Sequence, residues 1–132
     1  MLEEALKVYH ETQRRYSVAN IEYILGMVYL QIVDKSNPVS LTTMAENIGF
    51  ILKNAPTAAK KAVEHFNRAI EVAKEIGAKG IEGQAYLDLG HLHKLKERRD
   101  QARDCFSKAI KLFEECETEI PLKKANEALA SL

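Results

Sequence analysis

Two stretches of the chain repeat each other and decide the fold. Residues 58–77 read AAKKAVEHFNRAIEVAKEIG, and residues 98–117, forty positions later, read RRDQARDCFSKAIKLFEECE. The residues that recur identically are Ala62, Phe66, Ala69, Ile70 and Glu75, which return as Ala102, Phe106, Ala109, Ile110 and Glu115. The recurring apolar residues step by four, three and one, so they form one stripe of an amphipathic helix. The repeat therefore predicts two equivalent helices, each buried along a stripe of Phe, Ala and Ile.

A second repeated element precedes each of these helices. Leu89-Gly90-x-x-His93 lies before the second stretch, and Leu25-Gly26-x-x-Tyr29 lies sixty-four residues earlier. A glycine inside a helix costs about 1 kcal/mol relative to alanine, so its presence usually has a packing reason. We expect a close helix crossing at each glycine.

Together these motifs resemble the tetratricopeptide repeat, whose signature combines Leu-Gly, an aromatic residue, a small residue, Phe and Ala at fixed offsets. Tyr86 stands where the family often has Trp, His93 replaces the usual Tyr, and Glu97 replaces a common turn glycine. The forty-residue period exceeds the 34 residues of the family. Residues 75–86 resemble the longer repeats of regulatory members. The run 66–132 is similar to the C-terminal tail of bacterial signalling proteins that join a nucleotide-cyclase or ATPase module to such repeats.

The periodicity and the resemblance imply an all-α fold of antiparallel helical hairpins, arranged as a short right-handed solenoid with one inserted helix. A single domain, 1–132, would comprise a degenerate first part (1–33), an insertion (34–57), a regular repeat region (58–117) and a C-terminal helix (118–132). About seven helices are predicted, at roughly 2–15, 17–33, 41–53, 56–76, 79–96, 98–117 and 121–131.

Composition argues against several classes of protein. The chain has 19 Lys and Arg against 19 Asp and Glu, whereas nucleic-acid binding usually leaves a basic surplus. No membrane association is expected, because we identify no apolar run of the roughly 18 residues needed to span a bilayer. The N-terminus lacks the pattern of a signal peptide. Two cysteines give no disulfide framework, which favours a reducing, cytoplasmic compartment.

No catalytic residue, metal site or cofactor is expected. His91 and His93 are two residues apart on a helix and point in nearly opposite directions, so they cannot hold one metal together. Cys105 lies beside Phe106 on a regular helix without an activating base. Gly77, Gly80 and Gly83 form G-x-x-G-x-x-G with no strand before it, which fits a helix turn better than a phosphate loop. A small enzyme remains a remote alternative.

The resemblance implies a concave groove for a polypeptide, lined by the first helix of each hairpin. The corresponding residues are Asn20, Tyr23 and Met27 on one helix and Gln84, Leu87, His91 and Lys94 on the other. Leu87 and His91 occupy positions where one subclass carries the Lys and Asn that grip a C-terminal carboxylate, so that clamp is not expected. The alternative for all seven residues is plain solvent exposure. The leading function is a protein–protein interaction or assembly module, as a segment of a larger regulatory protein.

Self-association is the second functional hypothesis. Residues 2–15 resemble the second helix of a hairpin, with Ala5 and Tyr9 spaced like Ala102 and Phe106. No first helix of that hairpin precedes them, so Leu2, Leu6 and Tyr9 are candidates for a homodimer seam. Alternatively, this helix folds back and the inserted helix covers it, which leaves a monomer.

The repeat predicts that Phe66 and Phe106 anchor the core. Truncation of Phe106 to Ala should lower the free energy of unfolding by about 3–5 kcal/mol, the usual cost of deleting a buried phenyl ring. Thermal melting followed by circular dichroism measures this loss. A Phe106→Ala protein that melts like the parent would contradict the core assignment.

Overall fold

The computed structural model describes residues 1–34, 49, 53 and 55–132, and this part of the chain contains five α-helices. These are α1 (Leu2–Val33), α2 (Ala58–Ile76), α3 (Lys79–Leu95), α4 (Arg99–Glu115) and α5 (Glu119–Ala130), with a 3₁₀ turn at Ala55–Thr57 before α2. No strand occurs among the described residues, as the all-α prediction requires. The predicted inserted helix, 41–53, lies almost wholly outside the described residues.

The N-terminal part corrects the sequence prediction, because the two helices expected at 2–15 and 17–33 are one continuous helix of 32 residues. Neither Gly nor Pro interrupts the chain between them. The hydroxyl of Ser17, at the expected boundary, donates to the Gln13 carbonyl 3.1 Å away. It therefore bonds back within the helix instead of capping a new one. The prediction of about seven helices is wrong for this reason, and five α-helices are found in the described part.

The turns after α2, α3 and α4 share one geometry at a spacing of twenty residues. Gly77, Glu97 and Glu117 have φ angles of 70°, 60° and 55°, in the left-handed region that glycine favours. In each turn the next residue donates its backbone N–H to a carbonyl five residues earlier, at 2.8–3.2 Å. Gly77 is thus the C-terminal cap of α2, which agrees with the helix turn that the sequence predicts there. Glu97 and Glu117 adopt the same left-handed conformation, although their Cβ atoms make it less favourable for them than for glycine.

Phenylalanine rings stacked on glycines set the distance between the paired helices. A Cβ atom added to Gly26 would lie 2.6 Å from the ring of Phe66, and one added to Gly90 would lie 2.5 Å from the ring of Phe106. The rings of Phe66 and Phe106 are fully buried, which confirms them as core residues. The glycines of the Leu-Gly motifs therefore mark close helix crossings.

The first half of α1 projects beyond the rest of the fold. Arg15 pairs with Glu75, which lies at the end of α2, and every residue from Met1 to Val18 is exposed. The thirteen residues 2–14 therefore extend about 20 Å past the end of α2, at 1.5 Å per residue. We call residues 2–14 the arm.

Helix α1 is also long and apolar enough, by length and composition, to cross a membrane. This differs from the sequence expectation, which divided the same residues between two shorter helices. Only 17% of its most apolar stretch of 18 residues is buried. Length and apolar composition are weak evidence by themselves, because core helices of soluble proteins can have both.

Two glycine substitutions in α3 should have opposite effects on stability. Gly90→Ala should lower the free energy of unfolding by about 1–3 kcal/mol, because the new methyl group overlaps the Phe106 ring. Gly80→Ala should raise it by up to about 1 kcal/mol, because alanine is the better helix former and no atom lies within 4 Å of the added carbon. Urea denaturation measures both. Equal effects at the two positions would contradict the proposed close crossing.

Candidate functional site

A hydrogen-bonded cluster joins α1 to α3, the first helices of the two hairpins. The Tyr23 hydroxyl on α1 donates to Oδ2 of Asp88 on α3 at 2.6 Å. The Gln84 amide, one turn before Asp88, donates to the same oxygen at 3.3 Å. Helix α5 also contacts α3, and the charge of Lys124 on α5 acts on Asp88. The cluster therefore lies where three helices meet.

Burial dominates the electrostatics of this cluster. Asp88 is only 8% exposed, and this burial raises the pKa of its carboxyl group. The hydrogen bonds from Tyr23 and Gln84 act in the opposite direction, as do the charges of His91 and Lys124. The pKa of Tyr23 is raised, first by burial and then by the Asp88 charge. Tyr23 is therefore a firm hydrogen-bond donor at neutral pH.

His91 lies on α3, three residues after Asp88. Its ring packs edge-on against Phe106, with the ring centroids 5.3 Å apart. Burial lowers the pKa of His91, and the nearby Asp88 carboxylate only partly offsets this effect. A histidine with a lowered pKa is mostly neutral at pH 7, so it offers one donor and one acceptor.

An ionised carboxylate has about four lone-pair sites, and the two bonds from Tyr23 and Gln84 leave capacity for further donors. Buried charges normally require hydrogen-bonded partners, and Tyr23 and Gln84 supply two of them. The cluster therefore fixes the position of α1 against α3 at the predicted groove.

The structure separates the sequence-predicted groove residues into those it brings together and those it does not. Tyr23 and Gln84 meet at Asp88, and His91 lies within electrostatic range of it. Met27 is half-buried against the core, and Asn20 is exposed. Lys94, also exposed, donates to the Ser131 hydroxyl at 2.7 Å.

Leu87 is the exception among the predicted groove residues. Only 2% of it is exposed, and it belongs to the hydrophobic core. A side chain enclosed in this way cannot contact a partner without moving, so Leu87 does not line the groove in this structure.

Sequence reasoning missed Asp88, although the sequence carries a signal for it. Asp88 is the one acidic residue in the run Ala85-Tyr86-Leu87-Asp88-Leu89. Charged residues are almost never buried without partners. An acid within an otherwise apolar stretch of a core helix therefore predicts a specific partner, which here is Tyr23.

The described residues hold no group of three or more His, Cys, Asp or Glu side chains arranged to bind a metal ion. Cys105 is buried, and burial raises the pKa of its thiol to about 11. The thiol is therefore protonated at neutral pH and poorly nucleophilic. His93 is buried with a lowered pKa, caused first by burial and then by Arg98.

Comparison with known families agrees with this architecture. Residues 41–115 match the family model of the tetratricopeptide repeat. The chain belongs to the tetratricopeptide repeat family. The match begins within the segment treated above as an insertion and does not include α1. Gly26 nevertheless contacts Phe66 in the way that Gly90 contacts Phe106, so α1 packs on α2 as α3 packs on α4.

No curated protein and no solved structure matches the chain significantly. Its family membership therefore rests on the family match, together with the repeated Gly–Phe contact.

The buried carboxylate should leave a signature in the pH dependence of stability. Because burial raises the pKa of Asp88 above its ordinary value of 3.8, the folded state holds the proton more tightly than the unfolded state does. This preference adds stability below the ordinary pKa, and the added stability is lost as pH rises through the folded pKa. Asn cannot ionise, so Asp88→Asn does not lose this stability. We therefore expect the free energy of unfolding of Asp88→Asn, relative to that of the parent, to be higher at pH 7 than at pH 3.

Urea denaturation at both pH values measures this difference. Asp100→Asn on α4 is the matched control, because it removes the same charge from an exposed side chain. A difference between Asp88→Asn and the parent that stays constant with pH would contradict the raised pKa of Asp88.

Proposed function

We propose that this chain is a polypeptide-binding module whose groove runs across α1 and α3. Tetratricopeptide repeats generally bind polypeptide partners and are not catalytic. The observation that carries the proposal is the buried Asp88 carboxylate, which Tyr23 and Gln84 hold at the junction of the two helices. We call the set Asn20, Tyr23, Met27, Gln84, Asp88 and His91 the groove residues.

The chemistry of the groove residues suits an extended or helical peptide segment. Asp88 accepts hydrogen bonds, neutral His91 offers one donor and one acceptor, and half-buried Met27 supplies a soft apolar contact. Lys94 adds a positive charge at the rim. Asp88 is itself only 8% exposed, so its part is to hold Tyr23 and Gln84 in place. The exposed Asn20 and the half-buried Met27 and His91 then form the surface that a bound segment contacts.

The wider setting is part of the same proposal. The forty-residue repeat supports continued right-handed stacking of hairpins, as in a short solenoid, and each repeat then contacts only its neighbours. The resemblance of 66–132 to repeat tails of signalling proteins supports a role within a larger regulatory protein of the cytoplasm.

Selection from a random peptide display library tests the proposal. Binding peptides should be recovered, and fluorescence polarisation then gives their dissociation constants. The double variant Asn20→Ala with His91→Ala should weaken binding about ten-fold or more, which corresponds to the loss of roughly 1.4 kcal/mol of contacts. Its melting temperature should remain within a few degrees of the parent's.

The matched control changes exposed polar residues on α2 and α4. Asn67→Ala on α2 together with Lys111→Ala on α4 should leave the peptide affinity unchanged, since both residues are exposed. Peptides that respond to the control variant and ignore the groove variant would refute the groove. Recovery of no binding peptide would count against polypeptide binding.

A further inference from the structure

Helix α1 carries a second apolar face that the described residues leave partly exposed. The face consists of Val18, Ile21, Leu25, Val28 and Ile32, spaced by three and four residues, and we call it the outer stripe. Ile21 is 56% exposed and Val18 is 42% exposed. The opposite face of the same helix buries Gly26 and Leu30 against the core. The second half of α1 is thus apolar on both sides, which is typical of a helix with partners on both sides.

The internal repeat shows how such positions are used elsewhere in the fold. Sixty-four residues after Ile21, Leu25 and Val28 lie Ala85, Leu89 and Leu92 of α3. These three residues are 0–4% exposed. Equivalent positions are therefore covered in α3 and bare in α1, which indicates that the outer stripe receives a helix.

We propose that the occupant is a second copy of the chain, with the two α1 helices packed antiparallel about a two-fold axis. The spacing of the outer stripe makes it complementary to itself in this orientation. When Val18 faces Val28 of the second copy, Ile21 faces Leu25, and the symmetry repeats both layers. Four apolar layers result, which is the isologous pattern of a closed dimer.

Charge at the ends of these layers favours the same arrangement. The next layer out brings Arg14 against Ile32, in the last turn of the second copy's α1. That last turn holds no basic residue, and Asp34 is the C-terminal cap of the helix. The C-terminal end of a helix carries partial negative charge, which a cation stabilises. Arg14, 75% exposed in its side chain, can supply that cation across the interface.

The available area makes this a reversible dimer. Full burial of one such aliphatic side chain removes on the order of 100 Å² from water. Side chains of the outer stripe that are already partly covered supply only a few hundred Å² between both copies. Stable interfaces bury about 1,200–2,000 Å² in total. We therefore expect a dissociation constant in the range of micromolar to tens of micromolar.

A lipid bilayer is a weaker fit to the same face. The opposite side of α1 is packed on α2 through the Gly26–Phe66 contact and is hydrogen-bonded to α3 through Tyr23. Insertion of α1 into a membrane would break these contacts, whereas pairing of two outer stripes leaves them intact.

Sedimentation equilibrium with stripe and arm variants tests the proposal. The parent should be a dimer at about 100 µM, well above the expected dissociation constant. Ile21→Glu with Leu25→Glu should be monomeric at that concentration, with unchanged circular dichroism. Leu6→Glu in the arm is the matched control and should remain dimeric, because Leu6 is exposed but lies outside the outer stripe.

Disulfide cross-linking tests the orientation of the two helices. Ile24 lies beside the outer stripe next to the two-fold axis, so Ile24→Cys should link to itself in the second copy under mild oxidation. Gln31→Cys lies two turns further along, about 24 Å from its own symmetry mate along the axis of the antiparallel pair, and should not link. Both changes are made with Cys116→Ser, while buried Cys105 is kept.

Four results would overturn the proposal. They are a strict monomer at 100 µM, a dimer abolished by Leu6→Glu but not by the stripe variant, equal cross-linking at positions 24 and 31, and a monomer that binds phosphatidylcholine vesicles through the outer stripe.

Discussion

The contact between a phenylalanine ring and a glycine is the constraint on which the rest of this fold depends. Phe66 lies on Gly26, Phe106 on Gly90, and Phe113 on Gly83, each where any β-carbon would come within 2.7 Å of the ring. Each glycine is about 1 kcal/mol less favourable in a helix than alanine, and burial of the phenylalanine ring offsets that cost. Because the same contact recurs in both hairpins, α1 packs on α2 in the same way that α3 packs on α4.

The repeated packing also makes the Asp88 cluster possible. It fixes α1 on α2 and α3 on α4, and α2 in turn packs against α3. In this arrangement the Tyr23 hydroxyl lies 2.6 Å from the Asp88 carboxylate. A buried carboxylate costs stability unless it is hydrogen-bonded, and apolar residues of similar size often serve a core better than buried ions do. The fold thus retains a polar group where packing alone would favour an apolar one.

The sequence predicted most of the fold but less of the site. Helices α2 to α5 lie within about two residues of their predicted bounds, because the stripe around Phe66 and Phe106 is strongly periodic. The break expected near Ser17 had no Gly or Pro to support it. The Tyr23–Asp88 bond joins residues 65 apart, and helical periodicity carries no information about such pairs. Leu87 was assigned to the groove through the family alone, and its burial depends on how α3 rotates against its neighbours.

The turns at Gly77, Glu97 and Glu117 set a fixed length for the helices between them. Helices α3 and α4 each have 17 residues, or about 26 Å at 1.5 Å per residue. The regular part of the molecule is therefore a slab of constant thickness, in which each further hairpin would add width without adding height. Helix α1, at 32 residues, is nearly twice as long as the slab is thick. It extends past one face of the slab and not past the other. The two faces therefore differ, which the regular repeats by themselves would not cause.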